Sequence, residues 1–445
     1  MSARRWVGIA GTVGALATSA GRAGANPADI FGLGARAGGM AGAQVAAVDD
    51  GTATYYNPAR LALGDDIHLD VGYQVAQPRV QTDGETLVVD RAEGLVADLA
   101  VPGRVLGRRV AVGAGLYLPD QYVTRSRTIA GERPRFLAYD NRPQRLFFAA
   151  TAAVELRPGL AIGAGIAYMS GTRGSVDLRG LVGFPDPAVS QLELDIDVDL
   201  KTIRYPHAGV SWQATPWLTV AAAYRGAFVL KIDQGFTVRG DVGLPDVAPV
   251  VAGGFLALRT LSQDLFQPMQ VTAGLAAQLG PRWLLAFDAG FQRWSTFENP
   301  AARVELQLDI GELNEFVDIP PQPTLPTPRL HDILVPRLGL EYLARGGGHP
   351  LRLRAGYAFE PKVAPPQWGS SNFIDNDKHT LAVGAGVDWP GLGGVILKPL
   401  SLDLHLALTY LTPRDHVKLS PIDPIGDYRS SGLAVAGSVT SRWRF

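Results

Sequence analysis

The chain of 445 residues contains no cysteine, which excludes a disulfide framework, a thiolate metal site and a cysteine nucleophile. Charged residues make up only 19%, below the roughly 25% usual for soluble proteins. The formal net charge of −1 gives no electrostatic case for nucleic-acid binding. After residue 25 no run of about 18 apolar residues occurs, so the sequence predicts no transmembrane helix in the mature chain.

The N-terminus has the pattern of a secretory signal peptide. Arg4 and Arg5 precede an apolar run over 6–17, and Ala23-Gly24-Ala25 offers a small-residue cleavage site. A membrane anchor is the alternative, but the run is shorter than the ~20 residues that a spanning helix needs. We therefore predict that residues 1–25 are removed and that the protein is exported to the periplasm.

From Ile67 onward, apolar and polar residues alternate with a period of two, which is typical of strands. In "SLDLHLALTY" at 401–410, leucines occupy one face and mostly small or polar residues the other. Over many strands this second face is rich in Gly, Ala, Ser and Thr. A soluble β-sandwich would need a large apolar inner face. The pattern instead favours a barrel in the bacterial outer membrane, with a tightly filled polar lumen and an aliphatic face towards lipid.

The connections also alternate, because short Pro/Gly turns such as 156–160 and 214–218 separate long polar segments. This is the layout of an outer-membrane barrel. The long segments are 119–143, 172–190, 235–266, 298–330, 364–377 and 413–430. We place about fourteen strands near 67–78, 86–101, 109–119, 143–156, 159–171, 190–213, 217–234, 266–279, 283–297, 332–344, 351–362, 378–389, 400–413 and 431–445.

Residues 26–66 do not alternate, and 32–47 consist almost entirely of small residues. We predict that 26–66 form a hatch inside a barrel made by 67–445, and that Asn57-Pro58 is a rigid turn that pins the hatch. Tyr55 and Tyr56 are expected to wedge against lumenal glycines, namely Gly163, Gly165, Gly384 and Gly386. A loosely ordered extension, or a turn that merely starts the first strand, is the alternative.

The hatch segment "GLGARAGGMAGAQVAAVDDGTATYYNPARLA" resembles the N-terminal hatch of the FadL/TodX family of outer-membrane transporters of hydrophobic compounds. Its most specific part is Asn57-Pro58-Ala59. Further similar segments are "PMQVTAGLAAQLGPRWLLAFDAGFQRWSTFE", "LRLRAGYAFEPKVAPP", "IDNDKHTLAVGAGVDW" and the final "RWRF". The resemblance implies an all-β, fourteen-stranded transmembrane barrel closed by a hatch. It also implies passive uptake of small hydrophobic molecules, such as long-chain fatty acids or hydrocarbons.

By the same resemblance, an external hydrophobic groove would fall in the segments 172–190 and 235–266. We expect it to be lined by Val251, Phe255, Leu258, Leu261 and Phe266.

A lateral opening would fall in the third strand, where Gly113, Gly115 and Pro119 lower the cost of breaking the ladder. Plain packing of those glycines against the lumen contents is the alternative. The start of the mature chain differs from that of the fatty-acid branch, so the resemblance does not assign the substrate.

Two arginines on the lumen face, Arg352 and Arg354, are candidate contacts for a substrate carboxylate, or ordinary charges of a wet lumen. Trp443 and Phe445 match the C-terminal signal that the barrel-assembly machinery reads. The expected partners are outer-membrane lipid, this machinery and a hydrophobic ligand. The sequence suggests a monomer without a cofactor.

The alternative functions are a scaffold or shuttle for surface proteins, a general porin, and a lumenal enzyme built on Asp403 and His405. We do not expect an enzyme. The pattern Gly32-x-Gly34-x-x-Ala37 lacks the strand that a dinucleotide fingerprint follows. The cluster Asp375 to Asp377 could bind a cation or make hydrogen bonds at a strand end.

Overall fold

The structure is a computed structural model that describes most of the chain. The described residues are 31–87, 89–120, 134–136, 145–183, 186–243, 249, 251–298, 303–311, 314, 327–344, 349–367, 369, 371–391, 398–423 and 425–445. The predicted signal peptide at 1–25 lies outside them. Within this part of the chain, no helix is long and apolar enough to cross a membrane.

From Leu33 onward, the described N-terminal segment contains three short helices inside the barrel. They are α1 at Ala35–Gly39, α2 at Ala53–Tyr56 and a 3-10 helix at Pro58–Leu63. Almost every residue from Leu33 to Leu61 is buried, although the side chains are small. The prediction of a hatch within the lumen is confirmed.

Twenty strands follow in the described part of the chain, and fourteen of them form the wall. The bounds are β1 His68–Thr82, β2 Glu85–Leu87, β3 Ala92–Val105, β4 Arg108–Pro119, β5 Arg135–Phe136, β6 Phe147–Arg157, β7 Leu160–Gly183, β8 Gln191–Thr215, β9 Leu218–Arg225, β10 Phe228–Gly243, β11 Val251–Gln267, β12 Met269–Leu279, β13 Trp283–Arg293, β14 Arg303–Asp309, β15 Ile333–Ala344, β16 Leu351–Glu360, β17 Phe373–Ile374, β18 Lys378–Trp389, β19 Leu400–His416 and β20 Tyr428–Arg444. The antiparallel wall runs β1-β3-β4-β6-β7-β8-β9-β12-β13-β15-β16-β18-β19-β20. It closes because β20 pairs with β1 from His68↔Arg444 to Thr82↔Ser430. Closure leaves no unpaired edge in hydrocarbon.

The alternation of the two faces is confirmed along β19. Leu404, Leu406 and Leu408 are 46%, 48% and 43% exposed, whereas His405 and Ala407 between them are buried. Such half-exposed aliphatic side chains cover the outside of the wall, as lipid contact requires.

Aromatic side chains mark the two ends of this apolar belt. Trp212, Trp217 and Trp283 lie beside the short turns, and Tyr168 and Tyr410 lie towards the long connections. These two levels match the interfacial girdles of outer-membrane barrels.

Three of the predicted long loops, 172–190, 235–266 and 298–330, are wrong in part, because some of their residues form strands that extend the sheet above the barrel. β7 continues to Gly183, and β10 pairs with it in parallel from Gln234↔Gly174 to Gly243↔Gly183. β11 pairs with β10, and β14 pairs with β11. The resulting order β8-β7-β10-β11-β14 is a five-stranded sheet, which we call the extension. The predicted strand 217–234 is therefore two strands, β9 and β10.

Candidate functional site in the lumen

Asn57 fixes the hatch to the barrel wall through its side chain. It is fully buried, its Oδ1 accepts the Ala59 N–H at 3.1 Å, and it caps the 3-10 helix in an extended conformation. Its Nδ2 donates to Val45 O at 2.8 Å and to Val210 O, in the wall strand β8, at 3.2 Å. The turn therefore links two hatch segments to one wall strand.

Glycines in the wall make this contact sterically possible. A Cβ on Gly209 would lie 1.9 Å from Asn57 Oδ1, and a Cβ on Gly163 would lie 2.5 Å from the carbonyl carbon of Pro58. Atoms cannot approach so closely, so both positions exclude larger residues. This local explanation was beyond the sequence, which predicts the glycines but not their partners.

The prediction that Tyr55 and Tyr56 pack against Gly163, Gly165, Gly384 and Gly386 is wrong, because other residues occupy these contacts. Gly384 faces Gly39 in the hatch, and Gly163 faces Pro58 and Ala59. The Tyr55 ring instead lies 3.9 Å from the Arg225 guanidinium carbon and makes an edge contact with Phe147.

Tyr56 is held within the hatch rather than against the wall. Its hydroxyl accepts the Leu33 N–H at 2.9 Å. The Tyr56 side chain is buried.

Buried ion pairs tie the lower part of the hatch to several strands. Arg36 Nε and Arg354 Nε both donate to Glu341 Oε2, at 3.2 and 2.6 Å. Arg354 Nη1 also donates to Asp403 Oδ1 at 2.5 Å. Arg352 pairs with Asp388. Both candidate substrate arginines thus lie on the lumen side and have carboxylate partners from the wall.

A second group of buried charges also contacts the hatch. Arg442 contacts Asp50 at 2.9 Å and Asp70 at 3.0 Å, and Asp70 accepts the Gly51 N–H at 2.8 Å. Asp288 Oδ2 accepts two hatch N–H groups, from Gln44 and Val45. Sequence reasoning missed Arg36 and Glu341. The only available signal was that isolated charges occur among small residues on the lumen face.

A cavity of about 140 Å³ lies directly above the hatch. Its floor includes Phe31, Tyr55 and Tyr56. One side is polar, with His207, Arg225, Gln270, Gln292 and Arg337. The opposite side carries the apolar residues Ala407, Leu411, Ala434 and Ala436, next to Thr409, Thr380 and the pair of Glu360 and Lys378. This two-sided lining can hold a small amphipathic or apolar molecule.

Inward-folded connections cover part of this cavity. Phe136, which lines the cavity, lies in the short strand β5, and β5 pairs in parallel with β17. The cluster Asp375 to Asp377 makes hydrogen bonds at a strand end: Asp375 Oδ2 accepts the N–H groups of Val363 and Ala364, at 2.5 and 2.7 Å. Asn376 Nδ2 donates to the carbonyl of Thr412 at 2.8 Å. These bonds hold the connection 361–377 in place.

The residues of the expected lateral opening lie in β4, whose ladder to β3 is continuous from Gly94↔Pro119 to Val105↔Arg108. A Cβ on Gly113 would lie 2.8 Å from Thr54 Cγ2, and a Cβ on Gly115 would lie 2.7 Å from Thr54 Oγ1. Both glycines therefore pack against the hatch in this conformation, and their role in an opening remains a prediction.

The expected groove residues do not come together on one surface. They lie in β11 rather than in a loop, and Phe255 and Leu258 fall on opposite faces because of strand alternation. Phe266 is buried at barrel level with Trp294 and Phe297. Val251 is buried and Leu261 is half-buried, elsewhere along the strand.

His405 and Asp403 do not form a catalytic pair. His405 Nδ1 lies 2.8 Å from Ser438 Oγ, but Asp403 is bound by Arg354. A Cβ on Gly38 of the hatch would lie 2.4 Å from the His405 ring, so the hatch packs directly on it.

The C-terminus completes the wall as expected. Phe445 is 60% exposed on the outside, and its N–H donates to Ile67 O at 2.8 Å. Trp443 lies in β20, where its Nε1 donates to Ser441 Oγ at 3.2 Å.

Comparison with known proteins agrees with this architecture. None of the curated proteins is significantly similar in sequence. A Pseudomonas aeruginosa FadL homologue has a similar structure, with a TM-score of 0.59 at 15% identity, over 93% of this chain and 98% of the other. The P. putida toluene transporter TodX aligns with a TM-score of 0.53 at 15% identity, over 94% and 99%. The CymD monoaromatic hydrocarbon channel aligns with 0.51 at 15%, over 94% and 98%.

These similarities concern the fold. In sequence, residues 11–414 match the family described as outer membrane protein transport protein (OMPP1/FadL/TodX). With its closed fourteen-stranded barrel and its hatch, the chain belongs to the OMPP1/FadL/TodX family of outer-membrane transport proteins.

Proposed function

We propose that the protein carries small hydrophobic molecules passively into the cell across the outer membrane. The observation that supports this proposal is the cavity above the hatch, one side of which is lined by Ala407, Leu411 and Ala434. Similar structures include a toluene transporter and a monoaromatic hydrocarbon channel. The buried hatch argues against a general porin, because it fills the lumen through which bulk solutes would pass.

A cavity-filling variant tests the transport proposal. Ala407→Phe places a large side chain into the cavity and should reduce the uptake of labelled toluene and oleate by cells that lack other such transporters. Ala385→Phe is the matched control, since Ala385 pairs with Leu404 on the outside of the wall. Equal uptake by both variants and the wild type would contradict transport through this cavity. Co-purified proteins without any bound lipid would favour the scaffold function.

We also propose that residues 1–25 direct export and that the barrel-assembly machinery reads Trp443 and Phe445. Deletion of Phe445 should sharply reduce the heat-modifiable band that a folded barrel gives on gels. Unchanged insertion of the truncated chain would show that Phe445 is not read. Because the barrel closes within one chain, each copy should transport by itself.

A further inference from the structure

The extension separates charged and apolar residues onto opposite faces. On one face, cross-strand partners are Leu194↔Leu178, Leu178↔Val238 and Val238↔Leu256. The described apolar side chains on this face include Val176, Leu178, Leu192, Leu194, Ile196, Phe236, Val238, Val242, Leu256, Leu258, Leu306 and Leu308. Among the side chains that the structure describes, this face has no charge.

The charges occupy the other face. They include Asp177, Arg179, Glu193, Asp195, Asp197, Asp233, Arg239, Arg259, Glu305 and Asp309. This face has the alternation phase of Tyr205 and His207 in β8, which face the lumen. The apolar face therefore points outwards, in phase with Val210 and Trp212 of the lipid-facing belt.

The apolar face lies beyond the membrane-facing belt. On β7 and β8 the belt runs from the pair Leu160↔Trp212 to the pair Tyr168↔Arg204, where the Arg204 guanidinium lies 5.7 Å from the centre of the Tyr168 ring. An exposed arginine beside a tyrosine is typical of the membrane interface. The extension begins several residues further along both strands, so lipid chains do not cover it.

The apolar side chains of this face are nevertheless exposed. Leu192, Leu194 and Ile196 are 48%, 56% and 57% exposed, and Leu306 is 36% exposed. A sheet with one apolar face and one charged face is half of a sandwich, in which a second sheet would pack about 10 Å away. Outside the membrane, such a face is expected to be covered.

We propose that this face binds the same face of a second copy of the protein. The face is five strands wide, with about 4.8 Å between strands, and extends about 20 Å along each strand. These dimensions give a footprint of roughly 480 Å² for each copy. Two copies would bury about 1,000 Å², near the lower limit for a specific interface. The face is uncharged, so two identical faces meet without repulsion. Insertion in one membrane holds both copies at the same height, and a two-fold axis along the membrane normal brings the faces together. The sequence alone suggested a monomer.

Cross-linking tests the dimer directly, since the chain has no native cysteine. Val238→Cys lies on the apolar face in the central strand β10, and Thr237→Cys lies next to it on the charged face. In intact outer membranes, a short bismaleimide should join Val238→Cys into a homodimer, which mass spectrometry identifies. Thr237→Cys should stay monomeric. No dimer, equal cross-linking of both variants, or capture of a different protein by Val238→Cys would overturn the proposal.

A charge variant gives an independent measurement. Leu256→Glu should weaken self-association at least about tenfold, because a carboxylate buried without a partner is costly. Ala257→Glu, on the charged face, is the control, and both should retain the heat-modifiable barrel. A Leu256→Glu protein that dimerises like the wild type would contradict the interface. Uptake is measured separately, so failure of this proposal leaves the transport proposal intact.

Discussion

The lumen around the hatch and the extension above the barrel are built from the same alternating strands but use them differently. In the lumen, the buried Arg354 contacts Glu341 and Asp403, and Glu341 also binds Arg36 of the hatch. In the extension, Arg259 is about half exposed and contacts Asp233 at 2.8 Å. Charges on the inner face therefore hold the hatch in place within the lumen, whereas in the extension they remain exposed to water. Alternation specifies two faces, whereas the surroundings decide what each face does.

The largest expected difference between the two regions concerns these arginines. Arg354→Ala leaves the buried Asp403 without its arginine and Glu341 with Arg36 alone, and should cost about 3–5 kcal/mol. Arg259→Ala removes an exposed pair and should cost about 0–1 kcal/mol. The fraction of folded barrel in a urea titration, read from the heat-modifiable band, measures both. Similar losses in the two variants would mean that burial does not separate the regions.

The next difference concerns the outer face at the level of the bilayer. Leu404→Arg should cost about 2–4 kcal/mol in the same refolding assay, because arginine then faces lipid. Ala407→Ser, on the lumen side of the same strand, should be mild. A harmless Leu404→Arg together with a harmful Ala407→Arg would invert the assigned register.

Glycine-to-alanine substitutions should have different effects in the tightly packed lumen and in the loosely packed extension. Gly209→Ala forces a Cβ to 1.9 Å from Asn57 Oδ1, so overpacking should cost about 1–3 kcal/mol and displace the hatch. Gly235→Ala in the extension meets its nearest neighbour, Ser175 Cβ, at 3.9 Å and should be tolerated. Refolding yield and channel conductance in planar bilayers check both. A Gly209→Ala protein with the conductance of the wild type would show that this contact does not hold the hatch in place.

A modest change in stability, with a clear functional effect, is expected for the turn. Asn57→Ala with Pro58→Ala leaves Val45 O and Val210 O without their side-chain donor, at about 1–3 kcal/mol. The barrel should still insert, but single-channel conductance should rise because the hatch loosens. Asn314→Ala, an exposed amide that contacts Asp309, is the control. Wild-type closure of the double variant would refute the pinning role of the turn.

The sequence by itself predicted the barrel, its closed set of about fourteen strands and the hatch. The period of two along 401–410 is a local property, and Asn57-Pro58 is a local turn signal. Each could be interpreted without knowledge of distant residues. The lipid-facing leucines followed for the same reason.

The tertiary structure decided which residues meet. Arg36 reaches Glu341 across 305 positions, and Gly209 lies against Asn57. The parallel pairing of β10 with β7 turns two predicted loops into a sheet. Alternation shows that a strand has two different faces, but it does not show which strand lies beside it. Strand pairing depends on how the whole barrel closes. The same is true of the close packing of the hatch backbone, which leaves no room for a methyl group on the wall glycines.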